Sequence, residues 1–145
     1  QEVTGVQTCA LPISLQTVVK MTGFRNDIGE LLAAADVFCL TSKREGLPKA
    51  VMEAMSAGKP IIANKIRGCS DLIVHGSNGY LVPVNDHEQT SSYIAKFIEE
   101  PALLERMGDA SVQLVQQFSL GNVLSQMEKI YDDCLMEHLE NAESS

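Results

Sequence analysis

Two short apolar runs separated by one amphipathic segment constrain this chain more than any other feature. The first is Val37-Phe38-Cys39-Leu40; the second is Ile61-Ile62-Ala63, entered through Pro60 and ending at Asn64. A continuous apolar run of strand length suits a strand covered on both sheet faces. Between the runs, Pro48 can occupy the first turn of a helix, where its missing N–H costs nothing. Val51, Ala54 and Met55 then give that helix an apolar stripe. Gly58 can close it in a left-handed conformation, with Pro60 beyond. Strand, helix and strand at this spacing form a βαβ unit and predict a parallel sheet.

The pattern extends in both directions. Val18-Val19-Lys20-Met21-Thr22-Gly23-Phe24 reads as a short strand. Asp27 and Glu30 have the spacing of a capping box, and Ile28, Leu31, Leu32 and Ala35 recur at helical period. After Asn64, a loop with Gly68 leads to a short helix near residues 70–74. His75-Gly76-Ser77-Asn78-Gly79 is a turn cluster, and Tyr80-Leu81-Val82-Pro83 is a last short strand. Asp86 can cap a helix through Ile98, Pro101 starts another, and residues 119–139 form a third. On that third helix Leu120, Val123, Leu124, Met127, Ile130, Tyr131 and Leu135 make a packing stripe, read as a domain contact because it carries no basic face. The polar tail, residues 140–145, is expected to fray. The expected fold class is therefore α/β: a Rossmann-like, largely parallel sheet with flanking helices and a helical C-terminal tail.

Composition excludes several function classes. A length of 145 residues predicts one domain, and 45% apolar with 21% charged residues fits an ordinary globular protein. No run of apolar residues is long enough for a spanning helix. A net charge of −8 argues against a nucleic-acid partner, because neutralising a phosphate backbone needs clustered Lys and Arg. It leaves room for a small anionic ligand, whose site is local. Cysteines stand at positions 9, 39, 69 and 134 with no zinc-ligand spacing, which favours a reduced, cytoplasmic setting over a disulfide framework. Cys39 reads as a small core residue. His75 reads as a turn residue, and His87 and His138 as exposed.

Residues 1–13 stand apart. Val3-Thr4-Gly5-Val6-Gln7-Thr8-Cys9-Ala10-Leu11-Pro12-Ile13 resembles the translation of a DNA-sequencing library adapter. The stretch lacks the basic n-region of a secretory signal, and its apolar part is too short. We therefore expect the native chain to begin near Ser14, inside a longer gene.

In open α/β sheets, ligands sit beyond the carboxyl ends of the strands. Glu45-Gly46-Leu47-Pro48 lies there, between the strand ending at Leu40 and the helix starting at Pro48. Gly46 lets a backbone approach a ligand closely. Unpaired N–H groups at the helix start favour an anion. Glu45 and Glu53 add carboxylates that accept from hydroxyls. Lys43 and Arg44 are either solvated loop charges or cations that help neutralise a diphosphate. Hydroxyl acceptors flanking an anion seat match a sugar joined to a ribose through a diphosphate. The spacing by itself does not decide, since Gly-Pro loops and helical Glu residues are common.

A family resemblance adds weight. Ala35-Asp36-Val37-Phe38-Cys39-Leu40-Thr41-Ser42, Arg44-Glu45-Gly46-Leu47-Pro48-Lys49-Ala50-Val51-Met52-Glu53-Ala54-Met55 and Gly58-Lys59-Pro60-Ile61-Ile62-Ala63 resemble the group 1 glycosyltransferases, also called glycosyltransferase family 4. Arg67-Gly68-Cys69-Ser70-Asp71-Leu72-Ile73 and Gly76-Ser77-Asn78-Gly79-Tyr80-Leu81-Val82 extend the likeness. Its core is a Glu-x7-Glu motif, met by Glu45 and Glu53.

The resemblance implies the C-terminal, donor-binding domain of a two-domain GT-B enzyme, cut short at its amino end. On that reading residues 14–118 are a partial nucleotide-sugar-binding domain, and residues 119–139 pack back on a missing amino-terminal lobe. It implies retaining transfer of a sugar to an acceptor hydroxyl in polysaccharide or glycoconjugate synthesis. The donor is a nucleotide sugar, UDP-linked, and neither a cofactor nor a metal is implied. The acceptor is a sugar or lipid-linked sugar held by the missing lobe, with peripheral association at the inner membrane face. By resemblance Glu45 is the catalytic-site carboxylate at the donor sugar, and the backbone of Gly46, Leu47 and Pro48 holds sugar and phosphates. Glu53 accepts from the ribose, and Phe24 and Arg25 lie where the base is cradled. The chain alone is then expected to be inactive.

Arg67 and Asp71 depart from the commonest family residues, Gly and Glu, and the family's own phosphate-binding Arg and Lys lie upstream of this sequence. Two alternatives stand beside the transferase: a GT-B sugar-phosphate epimerase or phosphorylase, and a non-enzymatic nucleotide-sugar-binding module.

Overall fold

The second apolar run is the middle strand of a parallel sheet. The computed structural model describes residue 15 and residues 17–143; the expectations for residues 1–13 and for the end of the tail lie outside that range. In chain order the elements are α1 (Ile28–Ala34), β1 (Phe38–Leu40), α2 (Lys49–Ser56), β2 (Ile61–Asn64) and α3 (Arg67–Ser70). There follow β3 (Gly79–Val82), α4 (His87–Glu99), α5 (Ala102–Val115) and α6 (Leu120–Glu143), with a 3-10 turn at Gln116–Phe118 before α6. Among the described residues the sheet has three strands in the order β1-β2-β3, all parallel. Phe38 registers with Ile61, and Ile61 with Gly79. The expected α/β class with a parallel sheet and flanking helices is what the structure has.

Every residue of β2 is buried, because helices cover both faces of the central strand. Side chains alternate across a strand. Ile61 and Ala63 therefore meet one core with Val51, Met55, Cys69 and Leu72. Ile62 meets a second core with Tyr80, Phe97, Leu103 and Met107. The result is a helix–sheet–helix sandwich with β2 at its centre.

Helix α2 forms as its sequence specifies. Pro48 precedes it in an extended conformation, and Val51, Ala54 and Met55 face the core. Gly58 ends it at φ 69°, and the Lys59 N–H reaches back to the Ala54 carbonyl at 3.0 Å. Helix α5 lies close against this terminus. A Cβ at Gly108 would collide with the Gly58 carbonyl oxygen, and buried Ser111 donates to the Lys59 carbonyl at 2.8 Å. At the start of α4, Asp86 accepts from the Gln89 N–H at 2.9 Å, as its capping position predicts.

Several expectations are corrected. Residues 18–24 form no strand. A strand needs a ladder partner, and no described residue pairs with β1 on its outer side. For the same reason β1 is an edge strand, half-buried rather than covered on both faces, and Cys39 is exposed rather than a core residue. The capping box fails because the Asp27 carboxylate is engaged by Arg25, whose Nε donates at 2.7 Å, and it makes no bond to the helix. The short helix comes earlier than expected, at Arg67–Ser70. The α6 stripe from Leu120 to Leu135 is exposed, which leaves its expected contact with a lobe outside this chain open.

Candidate functional site

The carboxyl ends of β1 and β2 open onto the loop of residues 41–48. Buried Asn64, the last residue of β2, fixes the start of that loop. Its Nδ2 donates to the Thr41 carbonyl at 2.9 Å and the Ser42 carbonyl at 3.1 Å. One amide side chain thus replaces the strand pairing that stops at Leu40.

Gly68, in α3, fixes the loop's far end. It is buried, and a Cβ there would collide with the carbonyl oxygens of Gly46 and Glu45. Those two carbonyls therefore face α3. Among the described residues no peptide bond is cis, so each N–H points opposite to the carbonyl of the preceding residue. The N–H groups of Gly46 and Leu47 are thus turned away from α3, and neither finds an acceptor among the described residues. The first N–H groups of α2 follow at once, unpaired as in any helix start. A Cβ at Gly46 would meet nothing within 4 Å, and its φ is not left-handed. Nothing among the described residues demands glycine at this position.

Lys43, Arg44, Glu45 and Gly46 line a cavity of about 370 Å³ together with Ile66 and Arg67. Glu45 is half-buried, and its carboxylate lies close enough to α3 to act on Cys69. Burial pushes the Cys69 thiol above its ordinary range, and the Glu45 charge pushes it further. Glu53 is placed elsewhere. It pairs with Lys49 at 3.3 Å and lines a second cavity of about 650 Å³ between α1, α2 and the end of α5, with Leu32, Met52 and Phe118 on its apolar wall. The two motif carboxylates thus line two different cavities. Leu47 is exposed and Pro48 buried. Phe24 is 91% exposed, Arg25 is held by Asp27, and neither lines these cavities.

Sequence reasoning named the loop but missed the two residues that hold it. Asn64 read as a strand end and Gly68 as a loop glycine. Only their contacts across the fold reveal the role. Among the described residues no group of three or more His, Cys, Asp or Glu side chains could hold a metal ion, and no helix is long and apolar enough to cross a membrane.

Comparison with known proteins identifies the family. The family model for glycosyl transferases group 1 matches residues 3–113. The chain belongs to the group 1 glycosyltransferases. Among relatives in this family is the UDP-Gal:alpha-D-GlcNAc-diphosphoundecaprenol alpha-1,3-galactosyltransferase of Escherichia coli. It is 31% identical over 120 residues, which are 83% of this chain and 30% of that protein. Anabaena Alr3699/HepE, solved with UDP and with UDP-glucose, superposes with TM-scores of 0.78 and 0.76 at 30% identity, over 83% of this chain and 34% of its own. The C-terminal domain of a glycosyl transferase group 1 family protein (LpcC) from Francisella tularensis aligns at TM-score 0.60 and 25% identity. That match covers 68% of this chain and 51% of the other. The chain spans about a third of the length of the curated relatives it matches.

Proposed function

We propose that this domain seats the nucleotide-sugar donor of a retaining glycosyltransferase, with the donor linked to UDP. The observation that carries the reading is the loop at residues 45–48. Two backbone N–H groups turn away from α3 without acceptors, Gly46 leaves open space where a side chain would stand, and a helix begins directly behind. Such a loop suits an anion and a close backbone approach. The UDP and UDP-glucose bound to Alr3699/HepE support a uridine diphosphate linkage.

On this reading Glu45 accepts hydrogen bonds from hydroxyls of the transferring sugar. The backbone of Gly46, Leu47 and Pro48 holds sugar and phosphates, and Lys43 and Arg44 neutralise the diphosphate. Glu53 accepts from the ribose, and Phe24 and Arg25 lie on the base side. The chemistry is positioning and electrostatic stabilisation as the sugar–phosphate bond breaks. No residue here is assigned as a covalent nucleophile, and no metal is invoked. The acceptor hydroxyl belongs to a sugar or lipid-linked sugar, a class represented in the Escherichia coli relative's name, within cytoplasmic synthesis of a polysaccharide or glycoconjugate. The 145-residue chain supplies one wall of the site and does not turn over donor by itself.

Titration calorimetry and transfer assays on the full-length protein test the roles. Glu53→Ala raises the Kd for the UDP-sugar, and Glu45→Gln mainly lowers kcat. Loss of a hydrogen bond to a charged group costs about 1.5–3 kcal/mol, or about tenfold to a hundredfold. Wild-type kcat and KM in both variants would remove the assignment. Binding of UDP-sugar without any transfer to acceptor would favour the non-enzymatic binding module instead.

A further inference from the structure

A third cavity, of about 210 Å³, opens at the carboxyl ends of all three strands. Thr41 follows β1, Asn64 ends β2, and Asn85, Asp86, His87 and Thr90 come from the turn after β3 and the start of α4. It shares no residue with the cavity beside Glu45. Asn64 is only 5% exposed. Both acceptors of its Nδ2 are backbone carbonyls, those of Thr41 and Ser42. Only the NH2 of an amide can face two carbonyls, so Oδ1 points away from them. Oδ1 has no hydrogen-bond partner among the described residues, yet no described side-chain polar atom is both fully buried and unpartnered. The atom therefore keeps access to open space, and the cavity is the space that Asn64 lines. An acceptor held open in this way calls for a donor from outside the chain.

The lining decides which donor. No Lys or Arg lines this cavity, so nothing there neutralises a phosphate. Its one carboxylate, Asp86, is partly used, because Oδ1 accepts from the Gln89 N–H at 2.9 Å. The Thr90 hydroxyl donates to the Asp86 carbonyl at 2.8 Å, and its oxygen can still accept. Hydroxyl, amide and imidazole groups donate and accept in turn, as the hydroxyls of a sugar do. The volume lies below the roughly 300–1,000 Å³ of drug-sized ligands, so it suits one sugar ring rather than a nucleotide. The position fits as well, since ligands of α/β sheets sit beyond the carboxyl ends of the strands.

We propose that this cavity is a saccharide subsite, separate from the donor site, that grips the hydroxyls of one neutral sugar ring through Asn64, His87 and Thr90. The proposal rests on the donor reading for the class of that second ligand: a transferase needs an acceptor, and the ring is the acceptor's. Asn64 joins the two sites, its Nδ2 holding the loop of residues 41–48 and its Oδ1 open to the ring.

The test uses the full-length protein loaded with UDP and titrated, by saturation-transfer NMR, with the methyl glycosides of glucose, galactose and N-acetylglucosamine. His87→Ala and Thr90→Val, both on α4 and away from residues 45–48, are each first checked for an unchanged thermal melt. At least one glycoside binds, and each variant weakens it about threefold to tenfold while the Kd for UDP holds. High salt leaves the loss in place, because the ring carries no charge. Deoxy versions of that glycoside, titrated against the unsubstituted protein, give a readout independent of the variants' folding: at least one loses a similar factor. A protein that binds UDP but no glycoside, or equal glycoside affinity in both variants, would overturn the subsite and leave the donor reading standing. Variants that weaken UDP-glucose but not UDP would give the cavity to the donor's own sugar and overturn the proposal as well. An unsubstituted protein that binds a glycoside but no UDP, with the same loss in both variants, would keep the subsite and sink the donor reading.

Discussion

Cys69 reports on Glu45 across the candidate site. Cys69 is buried in α3, and its thiol is held above the ordinary range first by burial and then by the Glu45 carboxylate. The sign follows from linkage. A folded thiol with a raised pKa keeps its proton where the unfolded chain has lost it. Its contribution to stability is intact below the ordinary thiol pKa of about 8.5 and is lost as pH rises above it. With the other three cysteines replaced by serine, thiolate absorbance should therefore appear only at alkaline pH. Glu45→Gln should move that transition down, because one of its two causes is gone. An unmoved transition would place the Glu45 carboxylate away from α3. Asn64 acts at the same scale. Its amide closes two carbonyls of the loop, so its loss frees both ends of that contact at once.

Two glycines decide how elements meet, and they separate stability from site geometry. Gly108 lets α5 approach the end of α2, and Gly68 lets α3 approach the loop before α2. In both places a Cβ would collide with backbone carbonyl oxygens, which cannot swing aside as a side chain can. Overpacking of this kind costs about 1–3 kcal/mol. Gly108→Ala and Gly68→Ala should both lower the urea midpoint. Only Gly68→Ala should also weaken UDP-sugar binding in the full-length protein, because its collision displaces Glu45 and Gly46. Equal donor affinity in the two variants would separate α3 from the site. The edge strand β1 shows the reverse situation. Among the described residues it has no partner strand on one side, and Cys39 is exposed where the sequence suits a covered strand.

At the scale of the whole molecule, unsatisfied surface is concentrated in two places. One is the outer edge of β1, which pairs with no strand among the described residues. The other is α6, where Leu120 is 74% exposed and Ile130, Tyr131 and Leu135 each about as open as one another, at 61%, 62% and 61%. An apolar helix face of this length rarely stays in water. The 145-residue chain on its own should elute above its monomer size and bind a dye for exposed apolar surface. Replacing Leu120, Ile130 and Leu135 with serine should reduce both signals. A dye-silent monomer before any substitution would show that the stripe is covered in solution.

Local patterning determined the elements whose signals are short-range. Pro48 and Gly58 bracket α2, Asp86 caps α4, and the apolar runs became β1 and β2, because cap, turn and periodicity act between residues a few positions apart. The family motif likewise located the loop at residues 45–48. What required the tertiary structure was everything set by neighbours distant in sequence. Residues 18–24 have strand composition but no described ladder partner, so propensity alone did not make a strand. Asp27 has cap spacing, yet Arg25 took its carboxylate first. Gly68 and Asn64 look like ordinary loop and strand-end residues until their contacts with Glu45, Gly46, Thr41 and Ser42 are seen. The convergence of Arg67 with Lys43 and Arg44 has no sequence signature, because it arises only where β2 returns alongside β1 and brings the two loops together at one end of the sheet.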